Sequence, residues 1–358
     1  MSTAVMKPEQ NTIESTPQSS QPARPGPDLL LTQTILGSLN AQAVYVAAKL
    51  GVADSLATGP KSVDQLAKEV GADESALYRV LRALASIGVF AEDGDRTFRL
   101  TPTAELLRSD VAGSLRDVAI FMGEDWHWSV WGQTLYSVKT GEAAWNRVHG
   151  KTVFPYFETN AEAAEIFDRA MSSFSTLAIQ AVVNAYDFSS LNVLVDVAGG
   201  QGRLLTGILA AAPDLRGVLF DLPHVITRAK ESRELQKIIG SRIDLKAGDF
   251  FQSVPVGADG YILKHIIHDW KDDEAIRILT NIRKAISTYG RVLLIEAVVS
   301  EGNEPDFAKI LDIEMLVSPG GKERTATEYA NLFRQSGLKL SRIIPTRSPY
   351  SVIEAVKA

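Results

Sequence analysis

The spacing of apolar residues along the chain changes character near Asn192. Before that point helical spacing dominates. "DLLLTQTILGSLNAQAVYVAAKL", Asp28 to Leu50, has little polar face, as expected of a helix buried against something, here a second subunit. In residues 61–101, Ser62 with Gln65 three residues on predicts a capped helix that Gly71 ends. Leu77, Val80, Leu81, Leu84 and Ile87 recur every three or four positions and predict the next helix. "VFAEDGDRTFRL" then predicts a hairpin turning at Asp93-Gly94. Two short helices and a hairpin make a winged-helix order. Residues 115–190 read as mostly helical. Beyond Asn192, "NVLVDVA", "GVLFDL", "RIDLKAG", "DGYILKH" and "GRVLLIEAV" predict strands with helices between them, hence an α/β fold with a parallel sheet covered on both faces. The closing "LKLSRIIPTRSPYSVIEAVKA" predicts two more strands as an antiparallel edge.

Composition narrows the function classes. A length of 358 residues with 45% apolar content suggests two domains. Residues 1–27, rich in Ser, Thr, Gln and Pro, read as a disordered tail. Residues 28–114 then form an N-terminal domain and residues 115–358 a second domain. The net charge of -6 disfavours nucleic acid and anionic membranes as partners. Residues 61–99 carry six positive and seven negative side chains, and the hairpin tip "EDGD" would face phosphate with like charge. The absence of cysteine excludes disulfides, thiolate catalysis and Cys-ligated zinc. No signal-peptide pattern and no apolar run of membrane-spanning length is visible, so a soluble cytoplasmic protein is expected.

"VLVDVAGGQGRLL" places Gly199, Gly200 and Gly202 between a strand and a helix. Such a loop lets a ligand approach backbone N–H groups. Asp221 ends the next strand, where a carboxylate can bind the two hydroxyls of a ribose. Read as a dinucleotide fingerprint from Gly200, the loop puts Leu205 at the third small position and fails. Asp196 just upstream also suits a cation better than a diphosphate. S-adenosylmethionine, with a ribose, a sulfonium and no phosphate, fits; a merely structural turn is the bland alternative. In "KAGDFFQSVP", Asp249 could accept from an adenine amino group and Phe250 could cover the ring.

"LKHIIHDWKDDEA" holds His265 and His268, two of the five histidines. His268 follows a strand at its carboxyl end, where open α/β sheets keep their sites. It is either a proton-transfer group or part of a helix start in which Asp269 and Asp272 favour the dipole. His265 reads as packing. Glu296 ends the apolar run "VLLIEAV" and needs a buried partner.

Together "DVAGGQG", "FDLPHV", "AGDFF", "LKHIIHDW" and "SPGGKERT" resemble, in order, the motifs of the S-adenosylmethionine-dependent O-methyltransferases of the caffeate and hydroxyindole type, including bacterial small-molecule tailoring members. The resemblance spans roughly residues 30–358. It implies a Rossmann-like methyltransferase sheet with an N-terminal winged-helix dimerisation domain, a homodimer, and methylation of a hydroxyl on a small aromatic or polyketide-like acceptor. It implies that Gly200 and Gly202 line the methionine end of the cofactor, that Asp221 holds the ribose, and that Gly199, Leu222, Gly248, Asp249, Phe250, Lys264 and Trp270 complete the cofactor site. His268 would be the base, flanked by Glu296 and Glu323, with no metal. One departure is Ala198, where the family usually has a first glycine. Glu323 has a bland reading as a surface carboxylate paired with Lys322 or Arg324. Trp126, Met171, Phe174 and Met315 are candidate acceptor contacts, although most aromatics of residues 126–174 read as helical core. The competing classes are a NAD-dependent oxidoreductase and a winged-helix ligand-responsive regulator.

Overall fold

The computed structural model describes residues 26–358. Residues 1–25 of the expected tail lie outside the described residues, and Pro27 already opens the first helix, Pro27–Leu50. Proline suits that first helical position, since its missing N–H has no partner there anyway. The described chain falls into two compact units, one ending at Asn40 and one running from Ala41 to Ala358. In the first, Leu29, Leu30, Leu31, Ile35, Leu36 and Leu39 are all exposed. No single described helix is long and apolar enough to cross a membrane.

The second unit begins as the periodicity predicts. Gln65 Oε1 accepts from Ser62 N at 3.1 Å at the start of helix Val63–Val70, and Gly71 closes the helix in the left-handed region at φ 69°. Asp73 caps helix Glu74–Ser86 by accepting from Ala76 N at 2.8 Å. The hairpin differs from expectation in its turn. Pairing runs on to Asp93 opposite Thr97, so the loop is Gly94-Asp95-Arg96. Its left-handed residues are Asp95 and Arg96. A third short strand, Lys61–Ser62, pairs with Thr97 and Phe98. Leu66, Leu81, Leu84, Phe90 and Phe98 are fully buried beneath these elements.

The main sheet has seven strands: β1 (Val193–Val197), β2 (Arg216–Asp221), β3 (Ile243–Ala247), β4 (Gly260–Lys264), β5 (Arg291–Glu296), β6 (Leu338–Pro345) and β7 (Ser351–Lys357). Their order is β6-β7-β5-β4-β1-β2-β3. Strands β1 to β5 are parallel, β7 runs antiparallel to β5, and β6 pairs antiparallel with β7 at the edge. Apolar runs without polar alternation suit strands buried on both faces. Accordingly Leu194, Leu219, Ile262 and Leu293 pack on one side, and Val195, Val218, Leu263 and Leu294 on the other. The order reverses between β1 and β4, which opens a crevice at the carboxyl ends of the strands. All five parallel strands deliver a candidate residue there.

Candidate active site

The loop after β1 carries its own strain. Ala198, standing where a glycine was expected, adopts φ 56°, and Gly200 and Gly202 are left-handed as well. An L-residue in that region costs roughly 1–2 kcal/mol. Ala198→Gly is therefore expected to raise stability by about 0.5–1 kcal/mol, after the greater freedom of glycine in the unfolded chain is offset. Thermal melts of the two proteins test this; an unchanged or lower melting point contradicts it.

Gly199 has no room for a side chain: a Cβ would lie 2.5 Å from Leu219 and 2.6 Å from the Asp196 carboxylate. Asp196 is buried on β1, and its Oδ2 lacks a hydrogen-bond partner. Burial pushes its carboxyl up to about 7, against the pull of Lys264. Asp221 ends β2 and ties the loop down. Its Oδ2 accepts from Gly200 N at 2.8 Å and its Oδ1 from Leu222 N at 2.7 Å. Each oxygen keeps a lone pair for a further donor. Burial raises the Asp221 carboxyl as well. Gly248, after β3, donates to the Asp221 carbonyl and abuts the Phe220 ring, which excludes a larger residue. Asp249 accepts from Phe251 N at 2.8 Å. The rings of Phe250, Phe251 and Trp270 meet edge to face at 4.7–6.0 Å, and Phe154 stacks on Trp270 at 6.3 Å. A buried carboxyl with one unpartnered oxygen, a hydroxyl-ready Asp221 and an aromatic cluster fit a ligand with a cationic centre, a ribose and a flat base.

His268 lies in a short turn, Ile267–Asp269, between β4 and helix Asp272–Ala285. It is 6% exposed. Its Nδ1 is 2.5 Å from Glu323 Oε1 and 3.5 Å from Glu296 Oε2; its Nε2 is 3.6 Å from Asp269 Oδ1, beyond hydrogen-bond range. Glu296 ends β5, next to β4, and its Oε1 accepts from the N–H groups of Ile266 and Ile267 at 3.0 and 2.9 Å. Glu323 is buried, which excludes the surface-carboxylate reading. Lys322 instead pairs with Glu328, and Arg324 with Asp272. Burial pulls the His268 imidazole down, but Glu296, Asp269 and Glu323 outweigh it and carry it up to about 10. Burial also lifts Glu296 to about 7 and Asp269 to about 6, in both cases against the pull of His268.

The acidic run divides its work differently from a simple helix start. Asp269 faces His268, Asp272 anchors Arg324, and Glu274 makes the capping contact to Lys271 N. Lys264 closes β4, and burial lowers its ammonium to about 8 against the attraction of Asp196 and Glu296. His265, expected only to pack, is left-handed at φ 55°, its ring 5.5 Å from that of His268 and 4.1 Å from Tyr350. Sequence reading also passed over Phe251, visible beside Phe250 in "GDFF", and Asp312, whose Oδ1 accepts from Glu323 N at 2.8 Å.

The expected acceptor contacts divide. Met315 is buried on helix Phe307–Val317. Met171 sits on helix Ala161–Ala185 and, like Trp126 and Phe167, packs against the core that contains Phe121, Ile166 and Ala170. Phe174 is partly buried on the same helix. Trp126 is enclosed by the rings of Phe121, Trp145, Tyr156 and Phe157. Beside it lies a second His–Glu pair that the sequence did not signal: the buried His127 has its Nε2 3.0 Å from Oε1 of the partly buried Glu314.

His268, Glu296 and Glu323 offer atoms within 4.8 Å of one another, a spacing a metal could use. The 2.5 Å between Nδ1 and Glu323 is a hydrogen-bond length, whereas two ligands on one tetrahedral zinc sit about 3.3 Å apart. That separation suits a shared proton, and turnover is expected to survive EDTA. Loss in EDTA with recovery on adding Mg²⁺ or Zn²⁺ overturns that expectation.

Comparison with known proteins adds further findings. Residues 131–339 match the model of an O-methyltransferase domain, and residues 32–110 that of an O-methyltransferase dimerisation domain. The chain is 44% identical to the phenazine O-methyltransferase PhzM of Lysobacter antibioticus, covering 91% of this chain and 95% of that one. Its fold is similar to the crystal structure of LaPhzM, with TM-score 0.87, 43% identity and coverage of 92% and 99%. It is also similar to an O-methyltransferase from neocarzinostatin biosynthesis, solved with S-adenosylmethionine and 2-hydroxy-5-methyl naphthoic acid, with TM-score 0.77, 33% identity and coverage of 89% and 96%.

Proposed function

The chain belongs to the S-adenosylmethionine-dependent O-methyltransferases, and from that premise we propose that it methylates a phenolic hydroxyl on a fused aromatic of the hydroxyphenazine or hydroxynaphthoate kind, with His268 as general base. Its cofactor is S-adenosylmethionine, and membership of this family removes the dinucleotide oxidoreductase and regulator readings. The observation that carries the base assignment is the 2.5 Å contact from His268 Nδ1 to the buried Glu323.

When bound, the cofactor supplies a methyl group on a cationic sulfur. Gly200, with nothing within 4 Å of its Cβ position, leaves space beside its methionine end, Gly199 and Gly202 seat the loop against Leu219 and Leu235, and the buried Asp196 carboxyl lies nearby. Asp221 offers acceptors to its ribose hydroxyls, and Asp249, Phe250, Phe251 and Trp270 a polar edge and ring faces to its adenine. Lys264 closes the same side of the crevice. Glu323 accepts the Nδ1 proton of His268, which leaves the Nε2 lone pair to take the acceptor O–H proton. The imidazolium so formed is stabilised by Glu296, Asp269 and Glu323. A phenol has a pKa of about 10, so the transfer is close to balanced against a base raised to the same range. Met171, Phe174 and Met315 are proposed to bound the acceptor, whereas Trp126 is taken up by its neighbouring rings.

Incubation with methyl-labelled cofactor and a panel of hydroxyphenazines and hydroxynaphthoates, read by mass spectrometry, tests the reading. Label on a phenolic oxygen supports it; label on nitrogen or none on any phenol refutes it.

The dimerisation domain makes the protein a homodimer. We place the exposed face from Leu29 to Leu39 in that interface and the enzyme in the cytoplasm. Light scattering at micromolar concentration should give twice the chain mass, and Leu31→Glu combined with Ile35→Glu should lower it. An active monomer of the unaltered chain contradicts this, as does a double variant that stays dimeric.

A further inference from the structure

We propose that Arg324 is a positioning residue for this reaction, its guanidinium setting the turn that carries His268 by holding main-chain carbonyls on both sides of it. Arg324 is 0% exposed. Its Nη1 donates to the Ile267 carbonyl at 3.0 Å and its Nη2 to the Trp270 carbonyl at 2.8 Å. Nε and Nη2 donate to Asp272 Oδ1 at 3.1 and 2.8 Å, which fixes the plane of the fork. Between those carbonyls, the His268 carbonyl accepts from Lys322 N at 2.9 Å. At Gly321, any side chain would overlap the same carbonyl. The carbonyls of Ile267, His268 and Trp270 therefore all end on residues 322–324. The N–H groups of Ile266 and Ile267 end on Glu296.

A three-residue turn has little hydrogen bonding of its own to hold its shape. Here a planar fork reaches two carbonyls and one carboxylate at once, which a lysine ammonium cannot reproduce. The same segment places Glu323, so Arg324 sets the distance between imidazole and carboxylate from both ends. Interactions among close buried charges change steeply with separation, and catalytic geometry tolerates little displacement.

The inference rests on His268 as base, and the test separates the two. Arg324→Lys keeps the charge; Asp272→Asn loosens the fork from the half-exposed side. With a hydroxyphenazine as acceptor, Arg324→Lys should lower kcat tenfold or more. KM and the Kd for S-adenosylhomocysteine should stay within about twofold. In enzyme labelled with ¹³C-histidine, with no ligand added, the His268 imidazole should titrate at least about one pH unit below its unaltered position. Asp272→Asn should move both readouts the same way by less, and it decides the matter if Arg324→Lys does not fold. An unchanged imidazole titration, or kcat, KM and Kd worsening together in step with melting temperature, overturns the positioning role. A His268→Gln enzyme that turns over normally refutes the base reading instead.

Discussion

Replacing His268 with glutamine is expected to lower turnover by about 10²–10⁴-fold, the usual loss when a general base is removed. Glutamine is the informative substitute. Alanine would leave Glu296 and Glu323 buried without their cation, which is strongly destabilising by itself. A glutamine amide can still donate to Glu323, so the loss measured is that of the base. Affinity for S-adenosylhomocysteine should change by less than about twofold, because the proton acceptor faces the phenol. Turnover within threefold of the unaltered enzyme would remove His268 from the mechanism.

The same histidine sets two opposed pH dependences. Its folded pKa, about 10, lies above the unfolded value of about 6.5. Its stabilising contribution is thus fully present below pH 6.5 and is lost as pH rises through 10. Glu296 and Asp269, raised to about 7 and 6, act in the same direction at lower pH. The melting temperature should fall between pH 6 and 10, while kcat/KM climbs over the neutral to alkaline range as base or phenol deprotonates. A rate that is flat from pH 7 to 9, with chemistry shown to be rate-limiting, would contradict the raised base.

Asp221→Ala should raise the Kd for S-adenosylhomocysteine by roughly 10²-fold, since charge-assisted hydrogen bonds contribute about 1.5–3 kcal/mol each. Part of the effect is indirect. The carboxylate accepts from Gly200 N and Leu222 N, so its removal frees the glycine loop as well as the ribose. Burial raises the Asp221 carboxyl, so it takes up a proton at a higher pH than an exposed aspartate. Cofactor affinity of the unaltered enzyme should therefore weaken toward acid, and that dependence should shrink in the variant. Calorimetric titration at two pH values checks both. Normal affinity with lost turnover would give Asp221 a different role.

Much of the molecule was legible before any tertiary information. The strand and helix alternation after Asn192, the capped helix at Ser62 and the two closing strands follow from local periodicity and cap chemistry, which act over a few residues. The cofactor loops were legible for a related reason: each hangs from the carboxyl end of a parallel strand, so finding the strand finds the loop. Chain pairing over long separations was not legible. The hairpin turn moved because pairing continued to Asp93, and the pairing of Lys61–Ser62 had no local signal. Motif resemblance put Glu296 and Glu323 near His268, but their contacts depend on distant segments meeting. Glu296 arrives because β5 neighbours β4 with Ile295 opposite Lys264, which brings the next residue level with the start of the turn. Glu323 and Arg324 arrive because residues 321–324 fold back over that turn. The sequence by itself determined the α/β class, the loops and the chemistry available at them. Tertiary structure alone decided that Asp269 faces the imidazole, that Arg324 is buried as a clamp, and how basic His268 becomes. Those properties depend on distance and desolvation between segments far apart in the chain, which no local pattern encodes.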